Sequence, residues 1–516
     1  MKKMVVHQIL QDAAYQHAAT PVVSGGTILT YEAIFERTVR LAQSFIGLGI
    51  RPGTVVGVMA VNNHQYFELH YALSLVGAII HPINFRLAPE DILWTIQDAQ
   101  DEWLFLGSGF DELTPKMVPL VHHVVWMGGG DPASPGLDYE ALVRAGTFQV
   151  PEVAQTVVPQ DIYTMFYTTG TTGRPKGIRY THQQMLSGAL QIAHHLALHD
   201  TGARLMAHDV IMPLIPFFHI HGWGIPFVAP YIGASLVLPE RRDPVGQRDL
   251  IRRHQVTWAN MVPTQLLMLL AADPGPLPLK ILTGGSPLTS GLAQQASNVG
   301  IRFSLIYGGT DQLGSAISTA PGLSGPQAIR ELSSHLTPFP MVRLEVRDES
   351  GSNVPQDGTT LGEVWVQSPW LPEGYVNNDE ASSSAYQSGW FRTGDLAVRY
   401  PDGHFAIMDR ITDAIKSGGE WITGSAIESI ISEIPGVSGV AVIGVPDPRW
   451  GERPQAIITE APGVDAEMVR DVLNQAVLQG RIPRFWVPDT IKFVDMLPMT
   501  SAGKINKGKL RHSSSV

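Results

Sequence analysis

The sequence predicts an α/β protein in two parts: a large N-terminal domain of parallel sheets covered by helices, ending in a β-rich subdomain, and then a small α+β domain. Three observations predict this. First, apolar segments rich in β-branched residues alternate with helical patterns. Thr54–Met59 reads as a buried strand, Gln65–Val76 as an amphipathic helix and Ile79–Ile83 as a strand, and the alternation returns at Asp209–Leu214, Trp258–Val262 and Lys280–Thr283. Strand–helix–strand order implies parallel sheets with helices on their faces. Second, the pattern changes after about residue 340. Val342–Val346, Gly362–Val366 and His404–Met408 read as strands separated by Gly/Pro/Asp turns, a β-rich subdomain over about 340–410. Third, the last hundred or so residues hold a helix (Ser425–Glu433), a strand (Ser438–Val445), a helix (Ala466–Leu478) and a strand (Thr490–Val494). The domains are expected at 1–410 and 411–516, with the joint near Arg410–Thr412, where a short polar segment can absorb backbone rotation.

Composition limits the function classes. The 516 residues exceed what one core usually serves. A net charge of −11 argues against a general nucleic-acid binder, which needs a basic face. No cysteine is present, which removes disulfides, thiolate metal sites and a cysteine-bound thioester. The N-terminus lacks a secretory apolar core, and the run Leu69–Ile83 is broken by His70, Ser74 and His81. A cytoplasmic protein without a membrane span is expected.

The strongest motif is Tyr167-Thr168-Thr169-Gly170-Thr171-Thr172-Gly173-Arg174-Pro175-Lys176-Gly177, directly after the strand-like Ile162–Tyr167. Glycines let the backbone approach an anion, the threonine hydroxyls and free N–H groups donate to phosphate oxygens, and Lys176 supplies a compact cation. It is not a Walker loop, because Pro175 precedes the lysine and Gly177 follows it.

This loop resembles the signature of the adenylate-forming superfamily, which includes acyl-CoA synthetases, nonribosomal peptide adenylation domains and luciferase-like ligases. The resemblance runs through most of the chain, in the family's order. It implies that Thr168, Thr169, Gly170, Thr171, Thr172 and Lys176 meet the phosphates of ATP. In Pro216–Gly224 it implies that His219 acts at the reacting centre, with Trp223 and Gly224 lining an acyl pocket completed by Val262. Thr283-Gly284-Gly285-Ser286-Pro287 is similar to a turn bordering adenine and acyl group, which assigns Gly284 and Gly285 to nucleotide binding. Tyr307-Gly308-Gly309-Thr310-Asp311 resembles the family's Tyr-Gly-x-Thr-Glu. Tyr307 would border the adenine, Thr310 the α-phosphate, and Asp311 would hold Mg²⁺ together with Thr169. Asp311 departs from the pattern: its side chain is shorter than glutamate by roughly 1.5 Å. Gly308 and Gly309 would face the acyl group, with Gly309 leaving a roomier pocket.

Trp390-Phe391-Arg392-Thr393-Gly394-Asp395 matches the family's Trp-x-x-Thr-Gly-Asp, so Asp395 would accept the ribose hydroxyls. Asp409–Ile422 looks most like the fatty-acyl-CoA ligase branch, with Arg410 on ribose or phosphate and Thr412 where the family carries an Asp or Lys hinge. Gly418, Gly419, Glu420 and Trp421 would admit an acceptor's pantetheine arm, and Trp450 would stack its adenine. Leu497–Ile505 resembles the motif that carries the catalytic lysine, here Lys504, on a mobile C-terminal domain.

The resemblance implies ATP and Mg²⁺ and transfer of an acyl group from an acyl-adenylate to coenzyme A; His219, Trp223, Val262 and the glycines suggest that the carboxylic acid is apolar and medium-sized. The alternative acceptor is an amino acid, as in coronafacate ligases, and Thr412 and Asp311 are compatible with it. A non-catalytic nucleotide or acyl binder would not need both Lys176 and Lys504. A homodimer is one assembly consistent with the sequence.

Overall fold

The computed structural model describes residues 3–128, 136–168, 173–199, 201–240, 243–273, 275–318, 335–459, 461–500 and 504–514. Three sheets organise them. In the first, parallel strands Leu137–Asp138, His123–Met127, Trp103–Gly107, Val55–Met59, Ile79–Pro82 and Ile162–Thr168 lie in that order, and Lys176–Thr181 closes the edge as an antiparallel hairpin partner of Ile162–Thr168. The phosphate-loop motif begins at the end of Ile162–Thr168 and finishes at the start of Lys176–Thr181.

The second sheet is larger and changes character along its width. Pro21–Ser24, Ser235–Leu238, Val210–Pro213, Trp258–Met261, Lys280–Gly284 and Arg302–Gly309 pair in parallel. From Arg302–Gly309 onward it continues antiparallel through Leu313–Ser318, Leu336–Pro338, Phe405–Arg410, Trp390–Arg399, Gly362–Gln367 and Arg343–Arg347. The β-rich segment after residue 340 is therefore an extension of the parallel sheet rather than a sheet of its own. One apolar core joins the first two sheets, with Val56 and Phe105 from one and Ile211, Trp258, Ile317 and Val364 from the other.

The helix predicted at Gln65–Val76 forms at His64–Val76, with Asn63 accepting from the Tyr66 amide at its N-terminus. It is not the amphipathic helix that the sequence predicts. Every residue from Gln65 to Val76 is buried, because the helix packs on all sides. Two of its polar members are paired inside: Glu68 takes Arg37 and Tyr139, and His70 takes the Tyr66 carbonyl.

The chain leaves the large sheet at Arg410 and enters a third, small sheet at Ile415. This sheet holds Ile415–Ser417, Glu420–Ile422, Gly451–Thr459, Val440–Asp447 and Thr490–Val494. Its two faces are covered by apolar clusters drawn only from residues after 410: Ile415, Val440, Ile458 and Leu473 on one side, and Ala441, Ile443, Leu497 and Leu510 on the other. No helix among the described residues is long and apolar enough to cross a membrane.

Candidate active site

The cavity sits where the two large sheets and the small unit meet. One wall is the helix His182–Leu198, which starts with a capping box between Thr181 and Gln184. Met185, Gly188, Ala189 and Ile192 line the cavity, and their spacing puts them on one helix face. A second wall is the segment after Val210–Pro213, contributing Ile215, His219, Ile220, Trp223 and Gly224. The third comes from strand ends and the turns that follow them: Val262, Gly285, Ile306, Gly308, Gly309, Thr310, Asp311, Leu313 and Gly314. Asn84, Tyr167, Thr168, Arg410 and Lys504 complete it.

The convergence is tight around Gly285. A Cβ there would lie 3.4 Å from Val262 Cγ1, 3.8 Å from Lys504 Cε and 3.8 Å from Trp223 Cζ2. With φ at +83° this turn suits glycine alone. So a lysine from the small unit, a tryptophan from one strand-end loop and a valine from another meet across a bare backbone. Gly308 is needed for a different reason: its Cβ would sit 2.2 Å from the Leu313 carbonyl oxygen. The ladder shifts register between Tyr307 and Gly308, and such a bulge re-aims the side chains after it. Thr310 and Asp311 are thereby delivered to the cavity.

Three tyrosines that the sequence reading missed hold this turn. Tyr180 Oη donates to the Thr310 carbonyl at 2.6 Å, Tyr386 Oη to the Asp311 carbonyl at 2.8 Å, and Tyr375 Oη to Asp311 Oδ1 at 2.6 Å. Lys176 Nζ lies 4.8 Å from the Tyr375 ring centroid, so Tyr375 links the phosphate-loop lysine to the acid. No periodic or motif signal marks these tyrosines, because they come from distant segments.

Asp395 is buried just behind the cavity. Its Oδ2 accepts from Tyr307 Oη at 2.8 Å, and its Oδ1 lies 3.1 Å from Arg410 Nε. The electrostatics follow from burial. Burial pushes the Asp311 and Asp395 carboxyls up, against the pull of Tyr375, Arg410 and Lys176 on the first and of Arg410 and Tyr307 on the second. Burial, with Arg410 beside it, lowers Lys504 to about 8, although Asp395 pulls the other way. Burial, Arg86 and Lys504 lower His219 to about 3, so its imidazole is neutral at pH 7, and its buried Nε2 has no hydrogen-bond partner among the described residues. Asp311 is the one carboxylate among the described residues lining the cavity, facing Arg410 and Lys504. Such a site is prepared for anions.

Of the residues singled out in the sequence, Thr168, His219, Trp223, Gly224, Val262, Gly285, Gly308, Gly309, Thr310, Asp311, Arg410 and Lys504 line this cavity. Lys176, Tyr307 and Asp395 flank it through the contacts above. Gly284 lies in a strand, fully buried; its Cβ would meet the Ile306 carbonyl oxygen at 2.4 Å, so it permits close strand packing. Thr169, Gly170, Thr171 and Thr172 lie outside the described residues. The acceptor residues do not reach the cavity in this arrangement. Gly418, Gly419, Glu420 and Trp421 form a hairpin turn of the small sheet, where the Gly418 amide donates to the Trp450 carbonyl at 2.8 Å. Trp450 is 45% exposed beside Arg449.

Comparison with known proteins places the chain in a family. The chain is 34% identical over 508 residues to a long-chain-fatty-acid–CoA ligase of Thermus thermophilus, covering 93% of this chain and 89% of the relative. It is 33% identical to a 3-methylmercaptopropionyl-CoA ligase of Ruegeria lacuscaerulensis, covering 98% and 97%. The solved structure of an amide bond synthetase from Marinactinospora thermotolerans superposes with a TM-score of 0.83 at 25% identity, over 99% of each chain. Residues 10–376 match the AMP-binding enzyme model and residues 426–504 the AMP-binding enzyme C-terminal domain. The chain belongs to the AMP-binding enzyme family.

Proposed function

We propose that this enzyme activates an apolar, medium-sized carboxylic acid with ATP as an acyl-adenylate and passes the acyl group to coenzyme A in the cytoplasm. The observation that carries the reading is the meeting of Lys504 and Arg410 with an apolar wall in one cavity. Adenylation brings two anions together, and a buried cation between them is what that step requires. The CoA ligases of Thermus and Ruegeria, similar over 93% and 98% of this chain, support coenzyme A as acceptor.

In the first step a carboxylate oxygen attacks the α-phosphorus, the bond to the bridging oxygen breaks, and pyrophosphate leaves. The acid is already ionised at neutral pH, so no protein base is needed. Lys504 pairs with both the carboxylate and the α-phosphate, aligning them and offsetting transition-state charge. Asp395 accepts the ribose hydroxyls, with Arg410 beside it. Thr310 donates to the α-phosphate, and neutral His219 offers its unpartnered Nε2 to the substrate. Lys176 and the threonines of its loop hold the outer phosphates. In the second step the acceptor's sulfur attacks the acyl carbonyl, the bond to AMP breaks, and the thiol proton goes to solvent. Lys504 must withdraw for that attack. We assign residues 411–516 as the unit that moves, and Gly418, Gly419, Glu420, Trp421 and Trp450 as the acceptor's route.

Mg²⁺ fits this site. Among the described residues no cluster of three metal-ligating side chains occurs, and Mg²⁺ characteristically binds through one or two carboxylates plus phosphate oxygens. Asp311, whose carboxyl is pushed up by burial against the pull of Tyr375, Arg410 and Lys176, would hold it with Thr169. Bound there, the ion would offset charge on the departing pyrophosphate.

Acid-dependent exchange of labelled pyrophosphate into ATP tests the reading; no exchange with any apolar acid would end it. The pH profile is a second test. A lysine loses its charge as pH rises, so kcat/KM for exchange is level on the acid side and falls as pH passes about 8. Bound triphosphate favours the cation, so kcat falls at higher pH. A rate that rose through this range would contradict the role of Lys504.

Gly309 sets the room for the acid. A Cβ there meets nothing within 4 Å among the described residues, so a larger side chain enters open cavity. Gly309→Leu is expected to cut kcat/KM for the longest acids about tenfold while sparing short ones, with KM for ATP unchanged. An equal loss across a chain-length series would refute this.

The second reading is an amide ligase, favoured by the 25% identity to an amide bond synthetase along the whole chain. An amine would then take the place of the thiol, and the region 418–421 would serve its access.

A further inference from the structure

We propose that His221 and Asn260 are positioning residues for acid selection: they hold a left-handed turn, Ile220–Gly224, in the shape that presents Ile220 and Trp223 to the acid. The selectivity part rests on the cavity being the acid site, as proposed above. The turn itself is plain in the backbone. Five successive residues have positive φ: Ile220 at +40°, His221 at +39°, Gly222 at +54°, Trp223 at +47° and Gly224 at +79°. The amides of Trp223 and Gly224 donate to the carbonyls of His219 and Ile220, both at 3.3 Å, so the chain closes a full left-handed turn. This conformation is unfavourable for every L-residue and worst for a β-branched one such as Ile220. It persists only where the surroundings over-determine it.

Those surroundings grip the turn from behind. Ile220, Trp223 and Gly224 face the cavity, while His221 and Gly222 are fully turned into the core. His70 Nδ1 lies 2.8 Å from the Tyr66 carbonyl oxygen. A carbonyl only accepts, so Nδ1 carries the proton and His70 Nε2 is an acceptor. His221 Nδ1, 3.0 Å away, therefore donates to it. The His221 ring is caged by Phe166, Tyr163 and Phe227, with centroids 4.7, 5.5 and 5.4 Å away. Burial lowers both histidines, leaving both rings neutral, as this donor–acceptor chain requires.

Asn260, in the strand Trp258–Met261, takes the next residue. Its Nδ2 donates to the Gly222 carbonyl at 2.9 Å, and its Oδ1 accepts from the Ile215 amide at 3.3 Å. One side chain thus ties the turn to the strand end from which it springs. Neither His221 nor Asn260 lines the cavity, so their effect on the acid must pass through Ile220 and Trp223. The nucleotide's groups, Asp395 and Asp311, lie on other elements.

The test uses His221→Phe, which keeps the cage filled and removes the donor, and Asn260→Ala. Both are expected to raise KM for apolar acids about tenfold, the scale of one lost buried hydrogen bond. The change should be uneven across a chain-length series, with KM for ATP unchanged. His221→Asn, whose amide can again donate toward His70, should recover most of the loss. Hydrogen exchange of a 217–226 peptide, followed without substrate, should quicken in His221→Phe and not elsewhere. Unchanged exchange there would overturn the positioning role, whatever the enzyme's substrate. Quickened exchange with acid and ATP constants moving together would overturn the selectivity role. Absence of any acid-dependent exchange of pyrophosphate in the unaltered enzyme would instead defeat the activity reading.

Discussion

Lys504→Ala lowers the rate of adenylate formation by about a thousandfold without lowering the unfolding temperature. The rate effect follows from the position of the ammonium group in the cavity, beside Gly285 and Trp223. With the lysine gone, Arg410 is the one cation among the described residues lining the space where two anions must meet. The stability effect follows from how the residue is held. The Lys504 carbonyl accepts from the Thr500 amide, and the Lys504 amide donates to Thr500 Oγ1 at 3.1 Å. Alanine keeps both backbone bonds. Burial depresses the lysine's pKa, so its charged form is penalised in the fold, and removing it costs no stability. Pre-steady-state release of pyrophosphate and a thermal melt check the two halves. An unchanged release rate would remove Lys504 from the mechanism.

The second large effect is expected at Gly291, which does not line the cavity. The helix Ser290–Asn298 starts after Thr289, whose side chain makes no cap. Its first amides are satisfied from the small unit instead. The Ser290 amide donates to Ser429 Oγ at 3.3 Å, and the Gly291 amide to Ser432 Oγ at 3.1 Å. A Cβ on Gly291 would lie 1.8 Å from the Ser432 carbonyl oxygen, so any side chain there forbids this docking. Its φ is not positive, so the helix itself accepts valine. Gly291→Val should therefore fold and yet fail to seat Lys504. Displacement of a catalytic group by about 1 Å can cost about a hundredfold, and a loss of that order is expected in adenylation. Transfer from a supplied acyl-adenylate to coenzyme A should be spared. Equal losses in both half-reactions, or none in either, would show that this contact does not seat the small unit.

Much of the fold and site was legible because it is written locally. The strands Lys280–Gly284 and Thr490–Val494 and the helix Ala466–Leu478 carry clear periods and turn residues. Thr310, Asp311, Asp395 and Lys504 sit in short motifs whose residue types follow the chemistry. What the sequence hid is what tertiary packing supplies. Tyr180, Tyr375 and Tyr386 come from three segments to hold one turn. The helix His64–Val76 alternates enough polar residues to read as amphipathic, yet they are buried, with Glu68 and His70 paired inside the core. The turn Ile220–Gly224 includes Ile220, His221 and Trp223, which local rules keep out of positive φ, so its two glycines do not announce a left-handed run of five. Gly291 looks like an ordinary residue in a helix, and its purpose is visible only with Ser432 against it.

The most direct test of the central claim is the product mixture. The purified protein, with Mg-ATP, a panel of apolar carboxylic acids, coenzyme A and a mixture of amino acids, is analysed by mass spectrometry. The account predicts AMP, pyrophosphate and acyl-CoA from a subset of the acids. Acyl-amino acids that persist without coenzyme A would move the enzyme to amide ligation and keep the adenylate. ADP in place of AMP, or ATP left intact with every acid, would contradict adenylate formation itself.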